Sequence, residues 1–169
     1  TLRGTPVLYM GEELGLADAE VPPARVVDPG GRDGCRAPLP WEAGAGHGWS
    51  AAPWLPWPPE PEARNAASLR ADQTSILHLY RRVLAARRSS AALQRGGLTL
   101  LPSHQQVLAF RRECRESDGD ARVVAVNFCD RALAFDPDEP LSVDVASDGR
   151  GEGERFGGRL DAGQAVILR

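Results

Sequence analysis

From Ala17 to Arg64 the chain is dense in proline and glycine, holds all four of its tryptophans, and shows neither helical nor strand periodicity. Proline fixes φ at about −65° and restricts the residue before it. No long helix or central strand can therefore run through this region. A loop of this length is uncommon in a compact domain and is usually either functional or disordered. The tryptophans (Trp41, Trp49, Trp54, Trp57) argue against disorder, because so much ring surface is costly to leave in water. The segment reads as an ordered functional loop, with "PWLPWPPEPE" extended and stiff.

The fold must be built on either side of this loop. Before it, Pro6 to Met10 form a short continuous apolar run bounded by Gly-Thr-Pro and Gly-Glu-Glu. Such a run suits a strand buried on both faces, as in a parallel sheet, although its length also fits buried helix. A parallel strand needs neighbours, and no βαβ alternation follows. The sequence is therefore expected to begin inside a larger domain. After the loop, Asn65 to Ala71 reads as a short helical piece and Asp72 as the N-cap of a longer helix. On that helix Ile76, Leu77, Tyr80, Val83 and Leu84 recur at helical spacing, with Arg87 and Arg88 in the last turn. Gly96 and Gly97 stop it. Beyond them "LTLLP", "QVLAFRRE", "ARVVAVNF", "LSVDVAS" and "QAVILR" read as strands, several with period-two alternation. Turns are expected at 117–120, 129–131 and 136–140, and residues 147–158 are flexible by composition. The expectation is a small antiparallel β-domain of sandwich type.

Charge narrows the partners. The net charge of −3 leaves no basic footprint for nucleic acid and no polybasic patch for a membrane. All 20 positive side chains are arginines, which together with the Ala, Gly and Pro content suits a GC-rich genome. No apolar run approaches the ~20 residues of a membrane span, and the N-terminus has no signal-peptide pattern. Cys35, Cys114 and Cys129 are widely spaced and odd in number, which fits neither a disulfide framework nor a zinc site. Thiols in a reducing cytoplasm are the expected state. His47, His78 and His104 have no ligand spacing, so neither a metal nor another cofactor is expected.

Four motifs then stand in order: "GTPVLYMGEELGL", "GRDGCRAPLPW", "PWLPWPP" and "SILHLYRRVLAARRSS". Together they resemble the end of the catalytic domain in bacterial α-glucosidases and oligo-1,6-glucosidases of the α-amylase superfamily. The resemblance covers residues 1–95 by motif and the remainder by pattern. It implies an α/β remnant, the last βα unit of a (β/α)8 barrel, over residues 1–95. An all-β antiparallel sandwich domain would follow over 96–169. Residues 5–10 would be the eighth strand and 73–88 the eighth helix. In such barrels the active site lies at the C-terminal ends of the strands, so "GRDGCRAPLPW" belongs at the pocket. The resemblance makes Arg36 a substrate-binding residue that pairs with an acid from an early loop and helps hold the terminal glucose. A planar guanidinium fork suits both a carboxylate and sugar hydroxyls.

The neighbouring residues read as support. Arg32 and Asp33 are expected to pair and fix the loop. Trp41 reads first as a packing anchor and second as a platform for a sugar face. Cys35 has no partnered base and reads as small packing. Glu12 and Glu13 sit at a strand end, but adjacent residues of an extended segment point opposite ways and cannot face one bond. By the resemblance, the nucleophile, the acid/base and the stabilising aspartate belong to strands four, five and seven, before Thr1. The chain is thus expected to be the C-terminal part of a cytoplasmic retaining α-glucosidase, acting on terminal α-linked glucose of short oligosaccharides and inactive alone. A trehalose- or sucrose-active transglucosylase, or a non-catalytic barrel relative serving as an interaction subunit, would share the same motifs.

Overall fold

The computed structural model describes residues 1–114 and 119–169. It separates into two compact units, Val7–Tyr80 and Thr1–Pro6 with Arg81–Arg169.

The first unit holds the long loop. Short 3-10 turns at Glu12–Leu14, Pro23–Arg25, Gly34–Arg36 and Ala45–Gly48 punctuate it, and no strand is formed. A small core of Leu14, Leu39 and Ala66 gathers Leu16, Leu69 and Leu77. The loop ends in helix α1 (Ala66–Ala71), where the carboxamide oxygen of Asn65 accepts the Ser68 N–H. The same carboxamide donates to Pro61 O and Glu62 O from a fully buried position. The short helix expected at 65–71 is present. Helix α2 (Ile76–Ser89) follows and runs out of this unit after Tyr80.

Two expectations for this unit are corrected. Residues 6–10 form no strand, and Val7, Leu8, Tyr9 and Met10 stand exposed. A parallel strand exists only through its ladder, and no described strand pairs with this run. Asp72 does not cap α2. It terminates α1, and its carboxylate takes both the N–H and the hydroxyl of Thr74, so the chain re-enters helix only at Ile76. The backbone carbonyl of Ser75 then accepts from His78 and Leu79.

The second unit is the β-domain. After α3 (Ala91–Arg95) come β1 (Gly97–Leu100), β2 (Val107–Cys114), β3 (Asp120–Asn127), β4 (Leu133–Ala134), β5 (Val143–Ala146), β6 (Arg159–Leu160) and β7 (Ala165–Leu168). Five of these form one antiparallel sheet in the order β1-β2-β3-β7-β5, and β4 pairs with β6. Alternate residues of the large sheet, Val107, Ala109, Val123, Ala125, Val166 and Leu168, share a core with Phe135 and Leu160. Leu160 and, at its edge, Leu133 bring the β4–β6 pair onto that core. Each large side chain buried there contributes about 1.5–3 kcal/mol. On the opposite face α3 packs against β2 and β3.

Every expected strand is present, and the two shortest were not expected. The turn read at 117–120 lies partly outside the described residues. At 136–140 the turn is made by Asp136 Oδ1, which accepts the Asp138 N–H. Residues 147–158 are tied down rather than loose. The Gly153 N–H donates to Val143 O and the Val143 N–H to Glu154 O, and the Glu152 carboxylate holds both Arg82 and the Ala146 N–H.

Candidate functional site

The turn "DPGGRDGCR" folds around one carboxylate. Asp28 Oδ1 accepts the Gly30 N–H at 2.9 Å, which closes the turn, and Gly31 follows at φ +69°. The chain then doubles back, so that Arg32, four residues on, donates from Nε to Asp28 Oδ2 at 2.6 Å and from Nη2 to Oδ1 at 3.0 Å. Arg36 arrives next, its Nη1 at 3.1 Å from Oδ2. The Asp28 side chain is 6% exposed and that of Arg36 is 44% exposed. Hydrogen bonding from Arg32, then from the Gly30 N–H, and the charges of Arg32 and Arg36 hold the Asp28 carboxyl well below the usual carboxylate range, outweighing its desolvation.

Asp33 does not pair with Arg32, contrary to expectation. It is buried, and its Oδ2 accepts the backbone N–H groups of Val27 at 2.7 Å and Asp28 at 2.9 Å. It fixes the main chain that carries the central carboxylate. Glycine is required at position 34, because a Cβ there would lie 2.7 Å from Ala19 O. Ala19 N–H and Gly34 O bond across this close approach at 3.1 Å. The Gly34–Arg36 turn then aims Arg36 back at Asp28. Cys35 is exposed, its Sγ 3.1 Å from Arg32 O.

Beyond Arg36 the chain is buried from Ala37 to Pro40, and Leu39 joins the small core. Pro40 O and Trp41 O accept the first N–H groups of α1, from Ala66 and Ala67. Trp41 is 52% exposed while its backbone is bonded on both sides, to His47 O and Ala67 N. It is anchored by main chain and presents its ring. Three other rings cluster: His47 meets Trp57 edge-on at 4.5 Å, Trp49 and Trp57 lie 6.1 Å apart, and Trp49 Nε1 donates to Leu39 O at 2.8 Å.

This arrangement can hold an oxygen-rich ligand, but it contains no bond-cleaving pair. Glu13 turns its carboxylate onto the Gly11 N–H at 2.9 Å, within its own turn. Glu12 lines a cavity of about 180 Å³ with Tyr9, Leu16, Asp18 and Cys35, and Arg36 is not part of that wall. A larger cavity of about 550 Å³ lies in the β-domain, where Arg111 pairs with Glu139 and Arg122 with Asp120. Among the described residues no cluster of His, Cys, Asp or Glu is arranged to hold a metal ion, and no helix is long and apolar enough to cross a membrane. Asp28 is the residue that sequence reasoning missed. Its signal was the i, i+4 spacing to Arg32, hidden in a stretch read only as loop.

Comparison with known proteins completes the picture. The family described as the α-amylase catalytic domain matches residues 1–96. A probable alpha-glucosidase of Rhizobium meliloti (strain 1021) is 38% identical over 143 residues, covering 78% of this chain and 25% of that one. The trehalose synthase of Thermus thermophilus is 35% identical over 146 residues, covering 80% of this chain and 14% of that one. The trehalulose synthase MutB of Pseudomonas mesoacidophila MX-45 superposes with a TM-score of 0.82 at 24% identity, over 98% of this chain and 35% of that one. The chain thus spans about a quarter of the length of the first relative, and the likeness to the third is one of fold.

Proposed function

Because the chain belongs to the α-amylase family of glycoside hydrolases, we propose that residues 1–95 serve as the last βα unit of an α-glucosidase barrel and residues 96–169 as the sandwich domain that follows it. The enzyme releases terminal α-linked glucose from short oligosaccharides in cytoplasmic carbohydrate metabolism, with retention. A covalent glucosyl intermediate forms on a carboxylate outside these residues. The work of this chain is to hold the sugar while that bond is made and broken.

One observation carries the reading. Arg36 is tethered to a buried carboxylate at a single corner, yet its side chain is 44% exposed and makes no hydrogen bond among the described residues. A guanidinium held in place with open N–H donors is suited to take a second carboxylate and sugar hydroxyls together. Asp33 and Gly34 support this by fixing the turn, and the exposed ring of Trp41 offers a flat apolar face. Relatives named as α-glucosidases support hydrolysis. The trehalose synthase relative, at 35% identity, supports a second reading in which the glucosyl group is passed to another sugar.

Product analysis separates the two. Enzyme carrying these residues within the complete barrel is incubated with α-1,4- and α-1,6-linked glucose disaccharides. Free glucose as the main product supports the hydrolase, and accumulation of trehalose or an isomerised disaccharide supports transfer. No turnover of any α-glucoside would overturn both and leave the interaction-subunit reading. The 169-residue chain alone is expected to be inactive on an aryl α-glucoside. Turnover abolished by changing Glu12 or Glu13 would refute the reading that neither takes part in bond cleavage.

A further inference from the structure

Asp28 is shared by two guanidinium groups of unequal claim. Arg32 grips both carboxylate oxygens, at 2.6 and 3.0 Å, whereas Arg36 reaches only Oδ2, at 3.1 Å and without hydrogen-bond alignment. The Gly30 N–H occupies Oδ1 as well. A carboxylate accepts about four hydrogen bonds, and most of this capacity is used before Arg36 is counted. Asp33 pins the main chain of Val27 and Asp28, which fixes the backbone that carries this carboxylate. Arg36 is attracted by a buried charge, yet it is not captured by it.

From this unequal sharing we infer that Asp28 is the positioning residue for Arg36, with Arg32 as its counterweight: Asp28 sets where the Arg36 guanidinium sits, and Arg32 keeps it from closing a bidentate fork that would use up its donors. The inference rests on the reading of Arg36 as a sugar-holding group. It assigns to Asp28 and Arg32 a role in substrate affinity that neither fulfils by touching substrate. Arg32 is suited to this, because its side chain is 64% exposed while the carboxylate it grips is 6% exposed. Its removal takes little packing away, and it frees two well-placed acceptor positions.

Two opposite perturbations follow. Asp28→Asn removes the charge and lets the Arg36 guanidinium wander. Arg32→Gln releases Asp28 to Arg36 and draws the guanidinium off the sugar. Misplacing a substrate-positioning group by about 1 Å can cost on the order of a hundredfold in rate, so Asp28→Asn is expected to lower kcat/KM by about ten- to a hundredfold. Arg32→Gln should raise KM about fivefold with kcat nearly kept, the pattern of lost uniform binding.

The test is a pair of double-mutant cycles on the complete enzyme, reading kcat and KM for an aryl α-glucoside. The variants are Asp28→Asn, Asp28→Glu, Arg32→Gln, Arg36→Ala and the doubles with Arg36→Ala. The inference expects neither Asp28→Asn nor Arg32→Gln to cause a further loss once Arg36 is absent, and Asp28→Glu to recover part of the loss. A merely structural role would lower the melting temperature and add in full to Arg36→Ala. That additivity, or an Asp28→Asn variant within about twofold of wild type, overturns the inference. If Arg36→Ala itself keeps normal kinetics, it is the sugar-holding reading that has failed. If Asp28→Asn does not fold, the cycle between Arg32→Gln and Arg36→Ala decides alone.

Discussion

In the β-domain, β2 and β3 pair along their whole length and present alternate residues to a shared apolar core. Between Ala17 and Arg64 there is no ladder at all. Two buried aspartates take up backbone N–H groups there, and of the three-residue core only Leu39 comes from this stretch. The first region repeats one cheap interaction many times, so any single backbone hydrogen bond matters little. The second depends on a few specific side chains, each placed by turn geometry. That difference suits their work. A loop held by a handful of polar anchors can present Arg36 and Trp41 to solvent, which a packed sheet cannot do with its inward residues.

The comparison can be broken at either end. The largest expected effect is in the β-domain: Phe135→Ala removes a buried ring from the core, where it lies 6.2 Å from Phe156, and should cost about 3–5 kcal/mol. Denaturant unfolding measures it, and a loss under about 1 kcal/mol would mean that the core is not what holds this unit together. Next comes Arg36→Ala in the complete enzyme, expected to lower kcat/KM about a hundredfold, since each 1.36 kcal/mol of transition-state binding is about tenfold. Its melting temperature should barely move, and Arg36→Lys should rescue little because an ammonium cannot reproduce the fork. Normal kinetics for Arg36→Ala would assign the sugar-holding role elsewhere. Smaller again is Asn65→Ala, which removes the cap of α1 and leaves Pro61 O and Glu62 O without their donor. About 1–2 kcal/mol is expected. Hydrogen exchange should place that loss at residues 61–69, and uniform loss across the β-domain would contradict it.

The same contrast explains what was legible in the sequence. Apolar runs bounded by turn residues, several with period-two alternation, announced the five strands of the large sheet. Leu133–Ala134 and Arg159–Leu160 are too short to have one, although Leu160 is fully buried. Gly96 and Gly97 marked the end of α-helix correctly but masked α3 just before them. Glycine and charge in residues 147–158 suggested looseness, yet Glu152 finds Arg82 seventy residues away, a partner no local pattern can reveal. At the candidate site, the motif around Arg36 made it legible as a candidate. Asp28 was not, since its importance comes from a turn that brings residues 32 and 36 back onto one carboxylate. Asp33 was read as an ion-pair partner because an adjacent arginine invites that reading, whereas burial turned it to main-chain donors instead.

The smallest expected effect at neutral pH is the titration of the two aspartates that anchor these regions, because both are already ionised there. Hydrogen bonding from Arg32 and from the Gly30 N–H, with the nearby arginine charges, holds Asp28 below the ordinary carboxylate range. For Asp120, burial pushes the carboxyl up, but the Ala92 N–H, the Ser90 hydroxyl and Arg122 outweigh it, and the net shift is downward. A carboxyl held low in the native state binds fewer protons there than in the unfolded chain. Its stabilisation is therefore complete above the ordinary aspartate value of about 4, and it is lost as pH falls through the lower native value. Stability should be flat near neutrality and decline in acid. Asp28→Asn should flatten the decline seen by hydrogen exchange in residues 17–64, and Asp120→Asn that in the β-domain. Urea midpoints between about pH 6 and pH 2.5 provide the global measure. If Asp28→Asn leaves the acid decline of the loop unchanged, the carboxylate at the centre of the turn gains nothing from its two arginines.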